Sequence, residues 1–376
     1  MLSLYIHVPF CVRKCSYCGF FSTPYSQSSA DEFIGGLRHE AAIYRNEFSN
    51  KLFSSIYIGG GTPTVLSCEQ FSSLFDMIDE HFTTSDDLEF TVEANPNTIT
   101  NKNIALMLER GVNRLSLGVQ SFSDRVLQFL GRTHNAEQAR NAFFAARSLG
   151  FENISVDLIY GIPGQTEQEW EETLDFATAL IPEHVSIYSL SLDEGSTFHR
   201  DFEAGMFVLP EDDIIAHMYE LAVGKLSVAG YDRYEISNFS LSGKECRHNM
   251  NYWERGEYLG LGPGAWSFVS GHRYANIASI PEYVRRLSGG MKPVDVHECV
   301  AARPAARESI LLGLRTMKGL DLTRFEQEYG YALLQQLETN AVPLKQAGLL
   351  LVAEGRLKLT GRGILLSNEV FARLAI

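Results

Sequence analysis

The chain has 376 residues, 45% of them hydrophobic and 21% charged, which is ordinary for a globular protein and enough for a large domain plus a smaller one. A formal charge of −14 excludes a non-specific nucleic-acid binder, which would carry a basic footprint, and no apolar run approaches the length of a membrane span. Six cysteines, three of them within eight residues, exclude a secreted disulfide framework, and with no basic leader or cleavage site in the first ten residues a cytoplasmic chain with reduced thiols is expected.

The first expected strand, 4–8, runs into Pro9-Phe10-Cys11-Val12-Arg13-Lys14-Cys15-Ser16-Tyr17-Cys18. Cys11, Cys15 and Cys18, spaced by four and three, share a face if the segment curls like a loose helical turn. Three thiols make at most one disulfide and leave a spare, and Arg13, Lys14 and Ser16 among them are not core surroundings. Zinc with His7 as fourth ligand is the rival metal, but structural zinc sites usually pair two hooks distant in sequence, and no second Cys-x-x-Cys or His-x-x-x-His is present. An iron-sulfur cluster with one iron lacking a protein ligand is the better fit, with Arg13 and Lys14 offsetting its negative charge.

Further strands are expected at 55–58, 88–93, 114–119, 154–159 and 185–190, alternating with helices near 30–48, 67–82, 100–110, 136–149 and 166–180. Ser67 with Gln70 and Thr166 with Glu169 read as capping boxes, Asn135 with Gln138 as a weaker one. Another helix, about 210–229, opens on Pro210 and the acidic turn Glu211-Asp212-Asp213. Six alternations imply a parallel sheet with right-handed crossovers, open or barrel-like, and are too few to close an eight-stranded barrel. The segment 231–280 is dense in Asn, Tyr, Trp and Gly with little periodicity. Beyond it the chain turns helical and ends in two β-like runs around Glu354-Gly355, as a small hairpin would. Residues 281–376 hold 13 Lys and Arg against 10 Asp and Glu, +3, leaving −17 for the rest; without a basic recognition stripe this is a solvated surface, and no nucleic-acid partner is expected.

In parallel α/β barrels the loops after the strand C-termini build the active face. Gly59-Gly60-Gly61-Thr62-Pro63 follows the second strand, Glu93 closes the third, Gln120 follows the fourth, and Asp157 lies near the end of the fifth. The glycine run is neither a dinucleotide fingerprint nor a phosphate loop, and alone it indicates only a tight turn or a close approach. A lone strand-end carboxylate more often caps a helix or pairs with a surface base.

Cys11-x-x-x-Cys15-x-x-Cys18 resembles the signature of radical S-adenosylmethionine (SAM) proteins, in which the open iron of a 4Fe-4S cluster is chelated by the methionine amino and carboxylate groups. Tyr5-Ile6-His7-Val8-Pro9-Phe10-Cys11 is similar to one branch, that of oxygen-independent coproporphyrinogen III oxidase and its heme-chaperone relatives. The resemblance covers nearly the whole chain. It implies an α/β fold: a partial (β/α)6 TIM-like barrel over 1–230, a loop-rich segment over the barrel at 231–280, and a mostly helical, winged-helix-like domain at 281–376. Tyr5, Gly60, Gly61, Thr62, Glu93, Gln120, Arg132 and Asp157 stand at positions that contact SAM in the family. By that likeness the glycines admit the methionine end, Glu93 pairs with its ammonium, Arg132 holds its carboxylate, and Gln120 and Asp157 bind ribose hydroxyls.

Phe20 stands where the oxidase branch has a fourth cysteine, and only ten residues precede Cys11; both features resemble the chaperone branch. His248-Asn249-Met250-Asn251-Tyr252-Trp253 resembles its heme-associated motif, implying His248 as heme ligand, Cys246 as a second candidate, and Tyr252, Trp253 and Tyr258 against the porphyrin. Cys-x-x-Cys-His is absent, so c-type attachment has no support, and Trp266 occupies a family histidine position. The implied function is a heme chaperone that carries a cluster and SAM and passes heme to acceptor apoproteins. The alternatives are anaerobic decarboxylation of coproporphyrinogen III propionates, fed by a donor such as flavodoxin or ferredoxin, and a zinc-stapled regulatory module.

Overall fold

Polar and apolar residues alternate along the first six strands, and that period of two sets the architecture. The computed structural model describes residues 2–374 and 376. Strands β1 (Leu2–Val8), β2 (Leu52–Gly60), β3 (Thr83–Ala94), β4 (Arg114–Gln120), β5 (Ile154–Tyr160) and β6 (His184–Ser189) lie parallel, each beside the next in sequence. Helices α1 (Gln27–Phe48), α2 (Cys68–His81), α3 (Asn101–Glu109), α4 (Ala136–Leu149) and α5 (Glu167–Ala179) connect them, with α1 packed on α2, α2 on α3 and α3 on α4. Sequential order with right-handed crossovers keeps the helices on one face and turns the other inward. Leu4, Ile6, Ile56, Ile58, Val92, Leu117, Val156 and Val185 bury their side chains on the helix side, in one core with Phe33, Phe71, Phe143 and Trp170. Truncating one such aromatic, Phe71→Ala, costs about 3–5 kcal/mol.

The inward positions are polar. Parallel register places Tyr5, Tyr57, Thr91 and Arg114 in one row across four strands, and Glu93, Ser116, Ser155 and His184 in another. Closed eight-stranded barrels fill this space with apolar layers; here it is a lined cavity.

The sheet does not close. Beyond β6 lies antiparallel β8 (Asn238–Ser240) and then, at the edge, β7 (Asp232–Arg233); beyond β1 the sheet gains β9 (Glu257–Leu261), parallel to β1 with Tyr5 opposite Gly260, and then antiparallel β10 (Trp266–Val269), β11 (His272–Asn276) and β12 (Val294–Cys299). Residues 231–280, expected as a loop-rich cover, thus extend both edges of the sheet. Their strands are two to five residues long, too short for a period of two to register. Gly59 and Gly60, expected after the second strand, are its last two residues.

All three expected capping boxes form, and a fourth, Thr100 with Asn103, uses an asparagine where glutamate or glutamine is usual. After α6 (Asp212–Val228) and α7 (Arg247–Trp253) comes α8 (Ile280–Ser288). The C-terminal unit has α9 (Ala302–Arg315), α10 (Leu322–Tyr329) and α11 (Tyr331–Gln346), with a small sheet of Leu320–Asp321, Arg356–Leu359 and Leu350–Ala353 in that order. Its core of Ile310, Leu314, Phe325, Leu337, Leu344 and Leu357 is separate from that of the barrel. Among the described residues no helix is long and apolar enough to cross a membrane.

Candidate cluster and cofactor site

The cysteine loop leaves the end of β1 and is clamped at its base. Phe10 and Cys11 pair with Thr23 and Pro24, Thr23 N–H donates to the Pro9 carbonyl at 2.8 Å, and Tyr25 N–H donates to that of Cys11 at 3.0 Å. Between these ties the chain is an irregular loop with a turn at Ser16–Tyr17 and no helical turn. Its conformation comes from distant contacts instead. Ser16 N–H donates to the Leu130 carbonyl at 3.3 Å, the Ser16 carbonyl accepts from Phe198 N–H at 2.9 Å, and Gly19 N–H donates to Asp193 Oδ2 at 3.1 Å.

Cys11, Cys15 and Cys18 line one cavity of about 460 Å³ at the mouth of the barrel, together with Gly60, Gly61, Thr62, Glu93, Gln120, Arg132 and Asp157. Seven of the eight residues expected to contact SAM thus meet the three thiols. Tyr5 does not: it faces a second cavity, its hydroxyl 3.0 Å from His7 Nδ1. Among the described residues no three His, Cys, Asp or Glu side chains close on a point that a single ion could occupy. Thiols spread around one cavity suit a larger, multi-iron body.

Each polar group has a local reason for its position. Glu93 Oε1 accepts from Tyr57 O–H at 2.8 Å and Oε2 from Gly60 N–H at 3.1 Å. Burial pushes its carboxyl up to about 7 against those two hydrogen bonds, and no ion pair holds it among the described residues. An unpaired buried carboxylate beside three thiols fits the ammonium of an amino-acid ligand. Asp157 accepts from Ser116 O–H at 2.8 Å and Ser155 O–H at 3.1 Å, which fixes both its oxygens. Gln120 holds a left-handed backbone at φ 65°, a strained setting that aims its side chain from the strand end into the cavity.

Arg132 and the glycine run also have contacts within the protein. Arg132, expected to fork onto a carboxylate, donates through Nη2 to the Gly118 carbonyl at 2.6 Å and directs Nη1 at Cys15 Sγ, 3.5 Å away, while its buried Nε has no partner. Its charge therefore faces a thiol; Nη1 also lies 3.5 Å from the Tyr17 hydroxyl, and the Nε–H and one Nη2–H have no hydrogen-bond partner among the described residues. The glycine run is required first by the protein itself: a Cβ at Gly59 would lie 2.8 Å from Glu93 Cδ, at Gly60 2.6 Å from His7 Cε1, and at Gly61 2.5 Å from the Phe10 carbonyl oxygen. Tyr57, Arg114, Ser116, Ser186 and Tyr188 also line the cavity and were missed; their signal is the period-two polar positions of the strands.

His248 lies inside the barrel, 1% exposed. Its Nδ1 is 3.0 Å from Ser55 Oγ and its Nε2 2.9 Å from Tyr252 Oη, so neither nitrogen is free in this conformation. Burial lowers its pKa to about 3, which keeps the imidazole neutral. Cys246 is fully buried beside Glu89, its thiol pushed up to about 12 by desolvation.

Residues 5–177 match the Radical SAM superfamily and residues 300–366 the HemN C-terminal domain. The chain is 38% identical to the heme chaperone HemW of Bacillus subtilis, over 99% of this chain and 98% of that protein, and 36% identical to the heme chaperone HemW of Mycobacterium tuberculosis, over 99% and 94%. Its fold matches that of coproporphyrinogen III oxidase (HemN) from Escherichia coli with a TM-score of 0.87 at 24% identity, over 100% of this chain and 90% of the other. A superfamily match on the barrel, a matching C-terminal domain and end-to-end similarity to these relatives have one consequence: the chain belongs to the HemW family within the radical SAM superfamily.

Proposed function

We propose that this protein is a heme chaperone: it binds heme, carries a 4Fe-4S cluster on Cys11, Cys15 and Cys18 with SAM in the barrel cavity, and delivers heme to acceptor apoproteins. Superfamily membership implies the cluster and SAM. The observation that carries the heme reading is the end-to-end similarity to relatives named heme chaperones. Phe20 in place of a fourth cysteine agrees with it.

A reduced cluster, when bound, supplies an electron to the sulfonium of SAM. The residues of this chain hold and orient the ligand. Glu93 takes the ammonium, the Gly60–Thr62 backbone borders the methionine end, and Asp157, already held by two serines, presents fixed acceptors to ribose hydroxyls. Arg132 balances the charge on Cys15.

Anaerobically reconstituted protein titrated with hemin is expected to bind one equivalent. Incubation with reductant, SAM and coproporphyrinogen III is expected to give no vinyl product. Vinyl product with deoxyadenosine, and no hemin bound, would instead make the protein a porphyrinogen decarboxylase.

A further inference from the structure

A second cavity of about 830 Å³ lies beside the first, and Gly19 and Phe20 of the cysteine loop line both. Parts of the chain distant in sequence wall it: Phe20 and Phe21 of the cysteine loop, the stretch from Tyr252 and Trp253 at the end of α7 through Tyr258 to Trp266, and Glu308 and Leu312 of the C-terminal α9. Aromatic side chains recur around its wall. Tyr252 and Tyr258 meet edge to face at 4.6 Å between centroids, while Phe20 and Trp266 are 65% and 46% exposed. Large aromatics left open around a concavity mark a place for a flat apolar ligand.

The cavity also holds a guanidinium built for a carboxylate. Arg255 lies 4.5 Å over the Phe268 ring and donates through Nε to Glu308 Oε2 at 3.0 Å, so the planar group is oriented while its two Nη atoms have no hydrogen-bond partner among the described residues. Glu308 is fixed in turn by Arg273, 2.8 Å away, which pairs on its other side with Glu298 at 2.9 Å. Arg255 holds the left-handed C′ position that ends α7, its N–H on the Tyr252 carbonyl at 3.0 Å and that of Gly256 on the Asn251 carbonyl at 2.8 Å, so the helix end fixes where the side chain starts. A wide aromatic slot with one oriented, half-partnered guanidinium selects a flat macrocycle bearing carboxylates.

Resting on the heme reading above, we infer that this cavity is the heme seat: the macrocycle lies against Tyr258 and Trp266, and Arg255, itself held on the Phe268 ring, holds a propionate. Heme and SAM then occupy neighbouring cavities that share only the cysteine loop. Ring faces and a propionate contact retain the ligand, so His248 acts by positioning Tyr252 and not through an open imidazole.

The test is titration of the reconstituted full chain with hemin, metal-free protoporphyrin IX and protoporphyrin IX dimethyl ester, for the wild type, Arg255→Gln and Ala278→Trp. Ala278 is exposed at the cavity, so tryptophan there fills the mouth without entering the core. We expect hemin and metal-free protoporphyrin to bind the wild type within tenfold of each other, the ester at least tenfold more weakly, and both variants to lose at least tenfold in hemin affinity. Arg255→Gln should leave the ester unaffected. Wild-type hemin affinity in both variants, with no penalty for the ester, would overturn the seat while leaving the heme reading intact. No hemin binding by the wild type would remove that reading itself. Should Arg255→Gln fail to fold, Ala278→Trp and the ester decide alone.

Discussion

The two cavities differ in how they are built. The barrel cavity is made by strands: its polar groups recur at every second position of neighbouring parallel strands, and its carboxylates are braced by tyrosine and serine hydroxyls on the same sheet. The aromatic cavity is made by convergence, from a loop near residue 20, an edge extension near 260 and a helix near 308. A strand-built site keeps its geometry because the ladder sets it. A site built from three separate pieces has walls that can part, which suits a cargo that must leave.

The largest expected effect separates them outright. Cys15→Ala should abolish the cluster: after anaerobic reconstitution iron falls from about four per chain to background and the brown colour is lost, because the remaining two thiols cannot anchor the cubane. Hemin affinity should change less than threefold, since Cys15 does not line the second cavity.

Next comes Glu93→Gln. Removing a charge-assisted contact to the ammonium costs about 1.5–3 kcal/mol, a fall of roughly ten- to a hundredfold in SAM affinity by calorimetry. The wild-type carboxyl sits at about 7 and must be ionised to pair, so SAM affinity should weaken as pH falls through 7. The glutamine variant should show no such slope.

Glu40 affects the second cavity from beneath. It is fully buried and accepts from Gly262 N–H at 2.8 Å, Asn276 Nδ2 at 2.6 Å and the Tyr283 hydroxyl at 2.5 Å, fixing the turn that leads to Gly264 and Trp266. Glu40→Ala leaves the Gly262 N–H and the Tyr283 hydroxyl unpaired and Asn276 Nδ2 with only the Gly262 carbonyl, and should cost about 3 kcal/mol or more in denaturant unfolding. Burial raises its carboxyl to about 7, so its contribution to stability is full below the unfolded value near 4.5 and is lost as pH rises through 7. Between pH 5 and 8 the wild type should lose more stability than Glu40→Gln. The smallest effect is Ser67→Ala, which breaks the capping box of α2 at a residue that lines neither cavity and should cost about 1 kcal/mol while leaving SAM and hemin binding unchanged.

The same contrast decides what could be read from the sequence. The six strands, the capping boxes and the cysteines with Glu93, Gln120 and Asp157 follow from local periodicity and motif spacing, which survive in a linear reading. The parallel pairing of Leu2 with Glu257 does not, because short glycine- and aromatic-rich strands carry no period and their partner lies 255 residues away. Arg132 lines the same cavity as the thiols, but its orientation toward Cys15 depends on the Gly118 carbonyl, which no spacing encodes. His248 has its motif in sequence, whereas its partners, Ser55 on β2 and Tyr252 one helical turn on, emerge only from packing.

The most direct measurement is a hemin titration of reconstituted protein with and without saturating SAM. Two separate cavities require one equivalent of hemin bound in both cases, with affinities within about threefold. Displacement of hemin by SAM, with apparent affinity falling in proportion to SAM concentration, would contradict the account by placing both ligands in one site.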